Sequence, residues 1–103
     1  MTDRELLELA AKAAGMELRY NKLGELIDEY LNPLRYDGDA MRLAVKLMIE
    51  IDHSPWQQTV DLYYRPYYSQ RTFELSEPYN NDPYAATRRA ITRAAAEIGR
   101  SMK

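Results

Sequence analysis

Four carboxylates recur at alternating positions in the middle of the chain: Glu50 and Asp52, then Asp61, then Glu74. Each falls in a run of period two, so on neighbouring strands all four project from one sheet face. Carboxylates gathered in this way can divide acid and base roles when their pKa values are driven apart. They can also hold a hard cation such as Mg²⁺ or Ca²⁺ through oxygen. The simpler account is a solvated face with Arg and Lys neighbours. The lone histidine, His53, stands in a His53-Ser54-Pro55 turn, and a titratable group without partners is not a site. The absence of cysteine removes disulfides, thiolate catalysis and Cys-based zinc. No phosphate-cradling Gly-rich loop, H-E-x-x-H or nucleophile elbow occurs. The expectation is therefore no catalytic residue, no metal, no cofactor and no enzymatic activity.

The aromatic usage points elsewhere. Nine tyrosines accompany one Phe and one Trp, and five of these aromatics fall between Tyr63 and Phe73. Tyrosine with arginine is the composition of protein–protein hot spots, because a phenol ring offers a large rigid contact and tolerates water when unbound. The candidate partner-binding residues are Tyr63, Arg65, Tyr67, Tyr68 and Arg71. The same types could stack a nucleobase with Arg65 or Arg71 on its phosphate, or simply shield the sheet. A second candidate is the arginine set Arg88, Arg89, Arg93 and Arg100 near the C-terminus, which can grip phosphates or form the solvated face of an amphipathic helix. Arg88 borders the apolar side and is expected to pair with a sheet carboxylate or stack on a tyrosine.

The elements that position these residues follow from period and punctuation. Thr2-Asp3-Arg4-Glu5 is a capping box, Leu6, Leu9, Ala10, Ala13 and Ala14 keep helical spacing, and Gly15 ends the run; a helix is predicted over 3–14. Residues 16–31 are read as two short strands around an Asn21-Lys22-Leu23-Gly24 turn. A loop through Pro33 and Gly38 leads to a short helix, about Asp39 to Leu47, with Ala40, Leu43, Ala44 and Leu47 on one face. From Met48 the period is two: Ile49 and Ile51, then Trp56, Val60, Leu62 and Tyr64, then Phe73 and Leu75 predict three hairpin-linked strands, with pairing interrupted at Pro66. Asn81-Asp82-Pro83 starts a last helix. Tyr84, Thr87, Ile91, Ala94, Ala95, Ile98 and Met102 share its apolar face, opposite Arg89, Arg93, Glu97 and Arg100, and Gly99 is expected to weaken its end. The order is α-β-β-α-β-β-β-α: an α+β fold, α-β-α sandwich-like, with a mainly antiparallel sheet of about five strands and three helices.

The chain has 103 residues, 46% hydrophobic and 29% charged, which suits a single domain over 1–103 with one modest core. No apolar run approaches the ~18 residues of a membrane span, and the acidic, amphipathic start is unlike a signal peptide. A cytoplasmic location is expected, with no membrane partner. Residues 1–82 carry 9 Lys/Arg against 15 Asp/Glu, and residues 83–103 carry 5 against 1. A duplex-DNA binder normally presents a basic field, so nucleic acid is not the expected partner.

Two segments carry a resemblance. Asn32-Pro33 followed by Asp37-Gly38-Asp39-Ala40-Met41-Arg42-Leu43-Ala44-Val45-Lys46-Leu47, and Asp82-Pro83-Tyr84-Ala85-Ala86-Thr87-Arg88-Arg89-Ala90-Ile91 continuing through Gly99, together with the opening helix, resemble small phage and prophage proteins of the phage ABA sandwich, NinX-like, type. Tyr30-Leu31 stands where a common form of the first motif has tryptophan. The resemblance implies an α-β-α sandwich and a bacteriophage context, and no reaction. The reading is a non-enzymatic, phage-encoded accessory protein in the host cytoplasm that binds a host protein, with an anti-CRISPR-like counter-defence inhibitor as one form. The alternatives are a small-ligand (nucleotide) binding or sequestering protein, which needs a concave aromatic/Arg pocket, and a weak carboxylate-dependent enzyme.

Overall fold

A computed structural model describes residues 2–16, 20–25, 32–65 and 72–102 of the chain. The elements among them are α1 (Asp3–Ala14), α2 (Asp37–Leu47), β1 (Ile49–Ser54), β2 (Thr59–Tyr64), β3 (Phe73–Pro78) and α3 (Pro83–Ser101). The class is α+β, with one antiparallel sheet in the order β1-β2-β3. Three strands stand where about five were expected. The other two were placed in 16–31, where residues 17–19 and 26–31 lie outside the described set. Within that stretch the turn is present: Gly24 has φ 80°, and the Asn21 side chain accepts from the amides of Leu23 and Glu25.

The helix boundaries show local chemistry at work. The Thr2 hydroxyl oxygen accepts from the Glu5 amide at 3.2 Å, and Gly15 closes α1 in the left-handed region. At α3 the Asp82 carboxylate accepts from the Ala85 amide at 3.0 Å, with Pro83 in the first turn. Helix α2 begins two residues earlier than expected, with Asp37 and Asp39 in its first turn, where carboxylates suit the helix dipole. β1 extends through His53 and Ser54, so His53 belongs to a strand and not to the turn. Trp56, expected in β2, lies in the connecting turn and is 97% exposed.

Helix α3 is the centre of the fold. It packs on α1, on α2, and on the sheet through β2 and β3. Its buried residues, Ala86, Ala90, Ile91, Thr92, Ala94, Ala95, Ala96, Ile98 and Gly99, cover far more than one stripe. Small side chains therefore let three neighbours approach one helix. Gly99 is part of this packing and not a weak end: a Cβ there would sit 2.0 Å from the Leu9 carbonyl oxygen. Tyr84, expected in the core, is 71% exposed, and Met102, placed on the apolar face, is 42% exposed.

The strand register places Ile49, Ile51 and His53 with Val60, Leu62 and Tyr64, and with Phe73, Leu75 and Glu77, on the face toward α3. Val60 and Leu62 are buried at its centre, and the Tyr64 and Phe73 rings lie 5.3 Å apart between centroids. Among the described elements all three helices lie on this side, and none packs on the other sheet face. The helices expected on both faces of a sandwich lie, among the described elements, on one face.

Candidate functional site

The uncovered face of the sheet is built by the residues that alternate with the core set. Across the three strands the register aligns Glu50, Tyr63 and Glu74 in one row and Asp52, Asp61 and Ser76 in the next. The four carboxylates singled out by their spacing therefore do share one face, and the Tyr63 ring lies among them. Glu50, Asp52 and Glu74 are exposed, while Asp61 and Tyr63 are partly covered by their neighbours. Asp61 accepts hydrogen bonds from Ser76 Oγ at 2.7 Å and from Thr59 Oγ1 at 3.3 Å. Asp52 and Asp61 stand directly opposite on paired strands, a like-charge juxtaposition that costs stability.

This charge distribution acts on Tyr63. Its phenol pKa is raised above the ordinary tyrosine value, first by desolvation and then by the negative charges of Asp61, Glu74 and Asp52; Arg65 opposes the shift. The Arg65 guanidinium carbon lies 5.1 Å from the centroid of the Tyr63 ring, within cation–π range. The face thus already holds one guanidinium on an aromatic ring surrounded by carboxylates. A shallow concavity of about 440 Å³ borders it, lined by Gln57, Asp61, Tyr63, Glu74, Leu75 and Ser76. Of the residues predicted to bind a partner, Tyr63 and Arg65 come together here. Tyr67, Tyr68 and Arg71, like Pro66, lie outside the described residues.

The arginines of the other predicted cluster pair with carboxylates of the fold. Arg89 pairs with Asp3 of α1 at 3.2 Å, Arg100 with Glu97 at 3.3 Å, and Arg93 with Glu77 on the inner sheet face. Among the described residues Arg88 pairs with neither a sheet carboxylate nor a tyrosine; it donates to Asp37 Oδ1 at 2.7 Å and to the Leu34 carbonyl at 3.0 Å. His53 is exposed, as expected, but it is not partnerless: its Nδ1 lies 2.6 Å from the Tyr79 hydroxyl. Among the described residues no three His, Cys, Asp or Glu side chains converge closely enough to hold a metal ion. No described helix is long and apolar enough to cross a membrane.

The period did not reveal two concavities. One, of about 470 Å³, lies between α2 and the start of α3 and includes Met41, His53, Tyr84 and Ile91. The larger, of about 610 Å³, includes Arg4, Tyr20, Arg35 and Arg88. The arginines of the second come from separate parts of the sequence, so no local motif marks them. No protein family, no curated protein and no solved structure matches the chain.

Proposed function

We propose that this chain is a non-enzymatic binding protein whose uncovered sheet face receives an arginine- or lysine-bearing surface of a protein partner. The observation that carries the reading is the placement of Tyr63 in the row Glu50–Tyr63–Glu74, with Arg65 stacked on its ring. A basic side chain arriving over this face meets a ring face and carboxylates at once, the arrangement that favours guanidinium over other groups. Carboxylates at the rim steer a basic partner and set its register.

The resemblance of residues 32–47 and 82–99 to phage accessory proteins makes a host protein the proposed target. A host nucleic-acid-binding protein suits the charge best, since an acidic sheet face can occupy a surface built for phosphates. Counter-defence inhibition is the form this would take. Pull-down from host lysate with the wild type and with Tyr63→Ala and Asp52→Asn, at low and high salt, tests the reading. The expected result is a captured protein whose capture is weakened in both variants and by salt. Capture indifferent to both substitutions would rule this face out.

A further inference from the structure

We propose that the chain forms a weak twofold dimer in which Trp56 of each copy enters the cleft between α2 and α3 of the other. Trp56 is the only tryptophan of the chain and is 97% exposed. The turn that carries it is held by hydrogen bonds. The Gln57 amide donates to the Ser54 carbonyl at 3.2 Å, the Gln58 side chain to the Pro55 carbonyl at 2.7 Å, and the Tyr79 amide to the Gln58 carbonyl at 2.8 Å. Tryptophan is prominent among the residues that anchor interfaces, and a side chain presented on an ordered turn loses little further freedom on binding. The cleft opens at the same end of the sheet: His53 of β1 lines it, and the His53 ring is bonded to Tyr79, which in turn holds Gln58. Trp56 and the cleft lie outside the two carboxylate rows, so the inference stands apart from the partner-binding face.

The chemistry of the cleft selects this occupant. Its volume is about 470 Å³, with buried Ile91 beneath and Met41 and Tyr84 at the mouth, 53% and 71% exposed. A thioether and a phenol ring are the groups that pack best on another aromatic ring. The 54–58 turn carries no charge, and in the cleft Asp37 and Arg88 offset each other at 2.7 Å. An uncharged knob therefore meets a compensated pair, whereas a charged occupant would lose hydration without gaining a counter-ion. A carboxylate accepts several hydrogen bonds, so Asp37 also serves the indole N–H, which only donates. Knob and cleft are different patches of one surface, and a twofold axis fills both at once. The area sets the strength. Aromatic side chains bury roughly 150–250 Å² each, so Trp56 and Tyr84 together fall short of the roughly 800 Å² per partner of a stable interface. The dimer is accordingly a weak one, formed well above micromolar concentration.

The test is sedimentation of the full chain together with the emission of its single tryptophan, from about 1 µM to about 1 mM, the span of weak affinities. The expected result is a passage from monomer to dimer over this range, with the emission moving to shorter wavelength in step as the indole leaves water. Trp56→Ala and Met41→Glu, both at exposed positions, should each weaken association at least about tenfold, the scale of losing an interface anchor. Their melting temperatures at low concentration should stay close to the wild type. In Met41→Glu the emission should keep its solvent-exposed wavelength throughout. Leu23→Glu, exposed but outside both turn and cleft, should dimerise as the wild type does. Added salt should not weaken the dimer, because no uncompensated charges are brought together. A wild type that stays monomeric with unshifted emission at about 1 mM would overturn the proposal. So would association unchanged in Trp56→Ala or in Met41→Glu, which would place the contact elsewhere, or a dimer that salt dissociates.

Discussion

Gly99 of α3 lies against the backbone of Leu9 in α1, so closely that a Cβ would sit 2.0 Å from the Leu9 carbonyl oxygen and 3.3 Å from the Ala13 amide nitrogen. The two helices run in the same direction, as the contacts Asp3–Arg89 and Lys12 Nζ to the Met102 carbonyl show. Their approach is set by backbone and alanine, not by large side chains.

Substitution of Gly99 by Ala tests this crossing. In an exposed helix interior Gly→Ala stabilises by about 1 kcal/mol. Here the added methyl meets backbone, which has no rotamer to change, so the helices must separate. The expected outcome is a loss of roughly 1–3 kcal/mol or more, the scale of overpacking, measured by urea unfolding. A gain in stability would show that α1 and α3 do not meet at this point.

The Arg93–Glu77 pair makes a second prediction. Glu77 is 9% exposed on the inner sheet face, and Arg93 is its ion-pair partner. Arg93→Ala leaves that carboxylate with poorer solvation and should destabilise by roughly 1–3 kcal/mol, the cost of a buried acceptor left unsatisfied. Arg100→Ala removes only an exposed i,i+3 pair and should change stability by less than about 0.5 kcal/mol. Equal effects would return these arginines to a common solvated face.

The third prediction contrasts two residues of α3 that share a helical face. Ile91 is buried and Tyr84 is 71% exposed. Ile91→Ala should cost roughly 2–5 kcal/mol, as emptying a core aliphatic site does. Tyr84→Ala should fall within about 0.5 kcal/mol of the wild type. Thermal or urea unfolding of the two variants checks the difference.

That contrast also shows what the sequence could reveal. Elements with local signals were legible: the capping box at Thr2, Gly15, Asp82-Pro83, and the period of two that placed Glu50, Asp52, Asp61, Glu74 and Tyr63 on one face. What failed depended on tertiary partners. Tyr84 has the right helical angle for the core, but it lies in the first turn of α3 at the rim of the cleft shared with α2, where most of its surface stays exposed. Gly99 looked like a weak point because propensity counts backbone entropy and not the neighbour that excludes a side chain. Among the described elements the second helical layer of the expected sandwich is missing for a similar reason. Alternation predicts one polar sheet face, and a polar face full of carboxylates is a poor seat for a second helical layer. The arginine-lined cavity draws on positions 4, 35 and 88, a separation that no periodicity encodes.

The last prediction concerns the carboxylate field around Tyr63. Its phenol pKa is raised by desolvation and then by Asp61, Glu74 and Asp52. A raised folded-state pKa means that the folded protein binds the phenol proton more tightly than the unfolded chain does. The resulting stability is present below the unfolded tyrosine pKa and is lost as pH rises through the folded one. The ultraviolet difference titration between wild type and Tyr63→Phe should therefore place this tyrosinate at higher pH than free tyrosine. Asp61→Asn and added salt should each lower it, because one removes the carboxylate that raises the pKa most and the other screens all three. Asp52→Asn separates stability from function. It relieves the cross-strand repulsion with Asp61 and should stabilise by about 0.2–1 kcal/mol, while weakening capture of a basic partner. A titration of Tyr63 at or below that of free tyrosine would show that the carboxylates do not act on the ring. An Asp52→Asn protein that is more stable and still captures its partner fully would remove this face as the binding surface.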